Sequence, residues 1–195
     1  ATVRTTTGRD VEISRLGPGD SVGEIQLVVG GVRSASVAAL EKSELLEVSR
    51  ADFEQIGEKL PKVMLQLRET ARRRLHRSLL VGVLSEWIGP MDDQIVDQLE
   101  RIIEWVTVPS GQVLFKQNDA ADSWYIAASG RLQAVVDDEG GPRVVGEVGR
   151  GESVGEMALI TGQVRSATLQ ALRDSVLMKF PVAAFEEILW RYPGV

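Results

Sequence analysis

The chain has no cysteine and a single histidine, His76. Without thiols there is no disulfide framework and no thiolate-held metal, a usage that fits a reducing compartment. One imidazole cannot supply the clustered His and carboxylate ligands of a metal oxygenase on a β-roll, so no metal ligand is assigned. Neither a Ser-His pairing nor a Gly-x-Ser-x-Gly elbow is present, and no residue is read as catalytic. Long apolar runs are missing too: none approaches the roughly 18–20 residues of a membrane span. There is no excess of positive charge, with 22 Lys and Arg against 28 Asp and Glu, a net charge of −6. That balance argues against non-specific nucleic-acid binding. No signal peptide is visible, and the sequence opens on Ala1 rather than Met, which reads as a fragment of a longer protein. The expected location is cytoplasmic, or the cytoplasmic part of a membrane-associated protein. The remainder is ordinary for a globular chain of 195 residues, 44% apolar and 26% charged, with room for one large or two small domains.

What the chain does have is a repeat. Gly155-Glu156-Met157-Ala158-Leu159 is followed by Arg165-Ser166-Ala167-Thr168. At an offset of 132 positions, Gly23-Glu24-Ile25-Gln26-Leu27 is followed at the same spacing by Arg33-Ser34-Ala35-Ser36. Gly149, Gly151 and Gly155 punctuate a strand-to-turn region, where the backbone can approach a ligand closely and take positive φ. Residues 156–159 can form about one helical turn, whose first N–H groups lack internal partners and attract an anion. Arg165, expected on the next strand, can hold a phosphate through two parallel hydrogen bonds, each worth about 1.5–3 kcal/mol. Ser166 adds a hydroxyl donor beside it. Glu156 only accepts hydrogen bonds when ionised, which suits a hydroxyl such as a ribose 2′-OH. One acid for a sugar and one arginine for a phosphate make a site for a sugar phosphate. A plainer reading of the same residues is a β-turn and a strand start, with Glu156 and Arg165 paired on the surface.

These residues resemble the phosphate-binding cassette of cyclic nucleotide-binding domains, which reads Gly-Glu-x-Ala-Leu, a short gap, then Arg-x-Ala. The resemblance implies that Glu156 holds the ribose 2′-OH and Arg165 the cyclic phosphate. It implies that amides of Gly155 and Ala158 complete the cradle, with Ser166 on the phosphate and Met157 and Ala167 as the remaining members. In the first copy the roles fall on Gly23, Glu24, Arg33 and Ser34, but Gln26 replaces the small Ala and sets a longer side chain against the cradle. The implied ligand is cyclic AMP or cyclic GMP, with cyclic AMP preferred and no cofactor.

Residues 1–60 read as the C-terminal part of a first such domain, Ala1 aligning with Gln133. Gly17-Pro18-Gly19-Asp20 matches the turn Gly149-Arg150-Gly151-Glu152. Residues 33–40 and 45–48 alternate and predict strands. Ser49 is an N-cap with Asp52 as its partner, and Phe53 and Ile56 are expected to face inward, as are Phe185 and Ile188 in the second copy. The first copy lacks strands corresponding to 107–132, which leaves open edges and little core. Either strand exchange between two chains completes it, as in a homodimer, or it is poorly ordered. Residues 61–89 form a connecting helix, with Met64, Leu67, Ala71, Leu75, Leu79 and Val83 as one apolar stripe running to about Trp87. Arg68, Arg72, Arg73, Arg74 and Arg77 lie mostly off that stripe, Glu69 is spaced to pair with Arg73, and His76 belongs to the same surface.

Residues 90–195 form the second domain. Asp92 or Asp93 caps a helix carrying Ile95, Val96, Leu99, Ile102 and Ile103. Strands follow over 105–108, 113–116 and 124–128, the last ending at Gly130, with a hairpin tip over 137–142 and a return over 143–148. Asn118 stands where the resembled family has Gly, and Asn tolerates the left-handed region. The expected fold is mainly β with flanking helices: two β-rolls of the double-stranded β-helix, or jelly-roll, kind, the first incomplete, joined by the long helix. Pro193 aligns with Pro61. In the resembled family the helix after this point closes over the base, so the second site is expected to lack a lid here.

The expected function is that of a regulatory module. It binds a cyclic nucleotide and relays it, by movement of the helix 61–89, to an effector domain of the same parent chain. The alternative is a pair of degenerate rolls acting in assembly or autoinhibition without ligand. Tandem domains of this kind resemble the regulatory region of bacterial patatin-like phospholipases related to neuropathy target esterase, and modules fused to transporters. On that resemblance the parent carries the esterase or transporter domain, and this stretch is not itself an enzyme.

Overall fold

The computed structural model describes residues 1–29 and 33–183, so the expectations for Phe185, Ile188 and Pro193 lie outside the described residues. Internal contacts gather the chain into two units, Ala1–Gly82 and Val83–Val195.

In the first unit, β1 (Thr2–Arg4) and β2 (Asp10–Glu12) form a hairpin in which Val3, 3% exposed, pairs with Val11. Helices α1 (Glu24–Val29) and α2 (Arg50–Lys59) follow, and α3 (Pro61–Trp87) begins at the expected proline. Of the strand expected over 33–40, only an isolated bridge from Ser36 to Thr2 forms, and 45–48 forms none. The alternation was there, but a strand needs a neighbour to take its N–H and C=O groups. Ser49 does cap α2, its hydroxyl accepting from the Asp52 N–H at 3.2 Å and donating to the Asp52 carboxylate at 2.6 Å. Nothing on α2 is buried, and Ile56 is 41% exposed. The inward orientation expected for Ile56 therefore fails, while Phe53 is half-buried.

Along α3, Glu69 pairs with Arg72 at 2.8 Å, one residue short of the Arg73 expected. His76 is half-buried rather than on the open surface, and burial, helped by the charge of Arg72, pushes its pKa down to about 4. In the folded chain it stays neutral where the unfolded chain, with an imidazole pKa near 6.5, takes up a proton. Its contribution to stability is full above pH 6.5 and is lost as pH falls toward 4. Thermal melting should therefore show a steeper loss between pH 7 and pH 4.5 for the natural chain than for His76→Gln; parallel profiles would contradict this.

In the second unit, the end of α3 is followed by α4 (Asp93–Ile102), where Asp92 accepts from the Ile95 N–H at 2.9 Å and Val96 and Leu99 are buried. Then come β3 (Glu104–Val108), β4 (Val113–Phe115), β5 (Ser123–Asp138), β6 (Gly141–Val148), β7 (Ser153–Val154), α5 (Glu156–Thr161) and β8 (Thr168–Pro181). All pairings are antiparallel: the order is β3-β8-β5-β6, with β4 also on β8 and β7 also on β5. The architecture is mainly β with flanking helices, as expected. The strand expected to stop at Gly130 instead runs on to Asp138, with register shifts on either side of Ser129 absorbing the bend. Ala127, Leu132, Leu169, Ala171 and Leu177 form the core of the sheet with Val108, Tyr125 and Val148. Trp124 stacks on Phe180 at 4.6 Å and lies 6.1 Å from Trp87 of α3. Each large apolar side chain so buried contributes about 1.5–3 kcal/mol.

Candidate functional site

Strand β7 delivers the chain to Gly155, which takes φ 87° as the N-cap of α5. Its carbonyl accepts from Arg165 Nη1 at 2.9 Å, and the Ser123 carbonyl accepts from Nη2 at 2.6 Å. A Cβ at position 155 would meet the end of the same guanidinium, and the φ there is one that side chains rarely adopt. Arg165 is 2% exposed, with its guanidinium carbon 4.3 Å from the centre of the Phe115 ring and 5.7 Å from that of Tyr125. Such stacking contributes about 0.5–2 kcal/mol.

The main chain at Arg165 is pinned as well. Its N–H donates to Asp119 O at 2.9 Å, and its carbonyl accepts from the Asn118 N–H at 2.8 Å. Asn118 has φ 70°, the left-handed conformation expected for it. These bonds place Arg165 in the loop ahead of β8 rather than within a strand. Next to Ser123, the Asp122 carboxyl is held below its usual range, chiefly by the Ser123 hydroxyl at 2.7 Å, with the charges of Lys179 and Arg165 adding to it.

Two buried polar atoms at this turn lack a partner among the described residues: Arg165 Nε and Glu156 Oε2. A buried donor or acceptor left unmatched is unfavourable by about 1–3 kcal/mol. A ligand offering an acceptor to the first and a hydroxyl to the second would remove that penalty. Gly155 and Arg165 are thus in direct contact, Glu156 follows Gly155, and Ala158 is buried at 6% exposure on α5. Met157, 58% exposed, and Ser166 face solvent, and Ala167 is half-buried. The carbonyls of Ser123 and Asp119 that fix the arginine were not found from sequence, because a backbone carbonyl has no residue-type signature.

The first unit repeats this turn closely. Gly23 has φ 89°, and Arg33 Nη1 donates to its carbonyl at 3.2 Å. Upstream, the Gly17 N–H donates to the Asp20 carboxylate at 2.8 Å, just as the Gly149 N–H donates to Glu152 at 2.6 Å. Two differences separate the copies. Arg33 is exposed, with Ser34 half-buried. Glu24 is only 8% exposed, and its Oε1 accepts from Arg74 Nη1 of α3 at 2.6 Å, a nitrogen that also reaches Ser21 O at 2.9 Å. Glu24 Oε2 is buried without a partner among the described residues. Arg74→Ala should therefore lower the melting temperature, by about 1–2 kcal/mol of stability once the one-third exposure of the arginine is allowed for. An unchanged melt would show the pair to be energetically idle.

An open hollow of about 520 Å³ lies elsewhere in the second unit and is lined by Arg131, Arg150 and Arg173 with Glu147 and Glu152. Arg131 pairs with Glu147, and Arg173 donates to Gly130 O, so this hollow is not a free cationic site. Among the described residues there is no cluster of acids and histidine fit to hold a metal, and no helix is long and apolar enough to cross a membrane.

The second unit is thus an antiparallel β fold with flanking helices, carrying a Gly-Glu turn closed on a buried arginine. The family model for the cyclic nucleotide-binding domain matches residues 1–59 and 105–192, and the chain belongs to that family. Patatin-like phospholipase domain-containing protein 7 of Rattus norvegicus is 34% identical over 179 residues, covering 91% of this chain and 12% of that protein. Neuropathy target esterase sws of Drosophila virilis is 32% identical over 187 residues, covering 95% of this chain. The chain spans about 12% of the length of these curated relatives. The structure of the catabolite activator protein of Thermus thermophilus superposes with a TM-score of 0.49 at 27% identity, covering 55% of this chain and 51% of that one.

Proposed function

We propose that the second unit binds a cyclic nucleotide at the turn from Gly155 to Ala167, with Arg165 on the cyclic phosphate and Glu156 on the ribose 2′-OH. Cyclic AMP is the preferred ligand over cyclic GMP. Ala158 and the Gly155 backbone form the floor, and Ser166 stands at the phosphate side. The observation that carries this reading is Arg165, nearly inaccessible, walled by Phe115, tied to Gly155, and still holding a buried Nε–H without an acceptor. Occupancy biases the position of α3, which passes the signal to an effector domain of the same cytoplasmic parent. The curated relatives support a patatin-like phospholipase or esterase as that effector.

Titration calorimetry of the full chain with cyclic AMP and with cyclic GMP tests the reading. Saturable heat is expected with cyclic AMP, at a lower Kd than with cyclic GMP; micromolar affinity corresponds to about 8 kcal/mol. No heat with either nucleotide would end the proposal. A second reading applies to the first unit alone. There the Glu24 carboxylate is already held by Arg74, which favours a degenerate cassette that serves assembly or autoinhibition. Stoichiometry decides between the readings: one nucleotide per chain supports degeneracy of the first cassette, two would remove it.

A further inference from the structure

Helix α3 separates its charge by side. Six of the chain's 22 basic residues and one of its 28 acidic residues fall within residues 61–77, which gives that stretch +5 in a chain of −6. At about 100° per residue, Lys62, Leu65, Arg68, Glu69, Arg72 and Arg73 share an arc of about 140°. All six are exposed, Leu65 at 63% and the side chains of Arg72 and Glu69 at 60% and 61%. The opposite side is occupied within the first unit: Ala71 and Ser78 are buried, and Arg74 donates to Glu24 and Ser21. The cationic side is therefore the one turned away from the first cassette.

Of the four cations on that side, Arg72 is paired, with Glu69 at 2.8 Å. Lys62, Arg68 and Arg73 have no ion-pair partner among the described residues. From Lys62 to Arg73 the helix rises about 16 Å. That is about two Debye lengths at physiological salt, so one small anion cannot neutralise the strip, whereas an extended anionic surface can. Leu65 decides what kind of surface. It lies between Arg68 and Lys62 on the same side, and a lipid interface accepts an apolar side chain set among cations. The leucine enters the boundary of headgroups and acyl chains while the charged ends stay at the headgroups. Nucleic acid suits the helix less well, because residues 61–86 hold no Phe, Tyr or Trp on which bases could stack. The rest of the chain carries −11, so attraction to an anionic surface has to come from this strip.

We propose that the exposed side of α3, formed by Lys62, Leu65, Arg68, Arg72 and Arg73, is a docking surface for an anionic lipid bilayer. The helix lies along the membrane plane, its guanidinium groups take lipid phosphate and carboxylate oxygens through paired hydrogen bonds, and Leu65 seats below them. With one leucine on that side the attachment is peripheral, reversible and weakened by salt. Each cation near the surface strengthens partitioning about fivefold. The surface requires no nucleotide at either cassette, so its test and the calorimetric one fail independently.

Co-sedimentation of the full chain with vesicles of phosphatidylcholine containing about one third phosphatidylserine tests this. Binding is expected to these vesicles and not to pure phosphatidylcholine, and to fall steeply as salt is raised. The double variant Arg68→Gln/Arg73→Gln should bind at least tenfold more weakly, and Leu65→Gln several-fold more weakly. Removing the same charge elsewhere, as Lys42→Gln/Arg143→Gln, should leave binding within about twofold, because only the strip meets the bilayer. The substituted side chains are exposed, so melting temperatures should match that of the natural chain, and weakened binding by a variant that melts normally supports the surface. Four results would overturn the proposal: no binding to the anionic vesicles, equal binding to neutral ones, an equal loss in the Lys42 and Arg143 variant, or binding to a DNA duplex at a salt concentration where vesicles are ignored.

Discussion

Arg165→Ala is expected to abolish nucleotide binding at the second cassette and to lower the melting temperature at the same time. Two charge-assisted hydrogen bonds to a phosphate are worth about 3 kcal/mol or more, roughly a hundredfold or more in Kd. The stability loss has a separate origin. Without the guanidinium, the carbonyls of Gly155 and Ser123 lose their donors, and Phe115 loses the cation lying 4.3 Å from its ring centre. Arg165→Lys separates the two roles. An ammonium keeps the charge but not the planar fork, so it cannot serve both carbonyls and an anion together. The lysine variant should recover part of the melting temperature while its affinity stays close to that of the alanine variant. A lysine variant that bound as tightly as the natural chain would mean that charge alone suffices, and the geometry assigned to the arginine would be irrelevant.

The repeat was legible because it is written in residue types whose local effects are strong. A glycine held at positive φ, Ser49 and Asp92 as caps, and Asn118 in the left-handed region act within a few residues of themselves. Sequence reasoning therefore placed the long helix and the helix starts. It failed where the outcome depended on distant partners. The alternation over residues 33–48 is the same signal that makes β8 a buried strand, and only the presence of 104–132 beside β8 separates the outcomes. Glu24 and Arg74 are far apart in sequence, and no spacing rule joins them. Gly130 was read as an end because glycine commonly punctuates a strand, whereas here it lets a continuous strand bend against its neighbour.

That bend carries the largest stability prediction. Gly130 has φ 100°, and a Cβ there would come within 2.5 Å of Ser175 Cα, in the middle of β8. Ser175 cannot retreat: it is fully buried, its hydroxyl donates to Arg173 O at 2.7 Å, and the same oxygen accepts from the Arg131 N–H at 3.1 Å. Positive φ for a side-chain-bearing residue is unfavourable by about 1–2 kcal/mol. Forcing extra volume into a packed site adds about 1–3 kcal/mol. Together these approach the whole margin of a small domain, about 5 kcal/mol at the low end of the range. Gly130→Ala should therefore unfold the second unit or drop its melting temperature more than any cassette change. Gly155→Ala makes the necessary contrast, since φ is similar but the obstacle is the end of the Arg165 side chain, which can swing aside. It should melt only modestly lower yet lose nucleotide affinity at least tenfold, because the swung arginine no longer faces the turn. Melting followed by intrinsic tryptophan fluorescence, with calorimetry on the folded variant, reads both. An alanine at 130 that melted no lower than one at 155 would mean that β8 yields at Ser175, and the register of β5 against β8 would have to be redrawn.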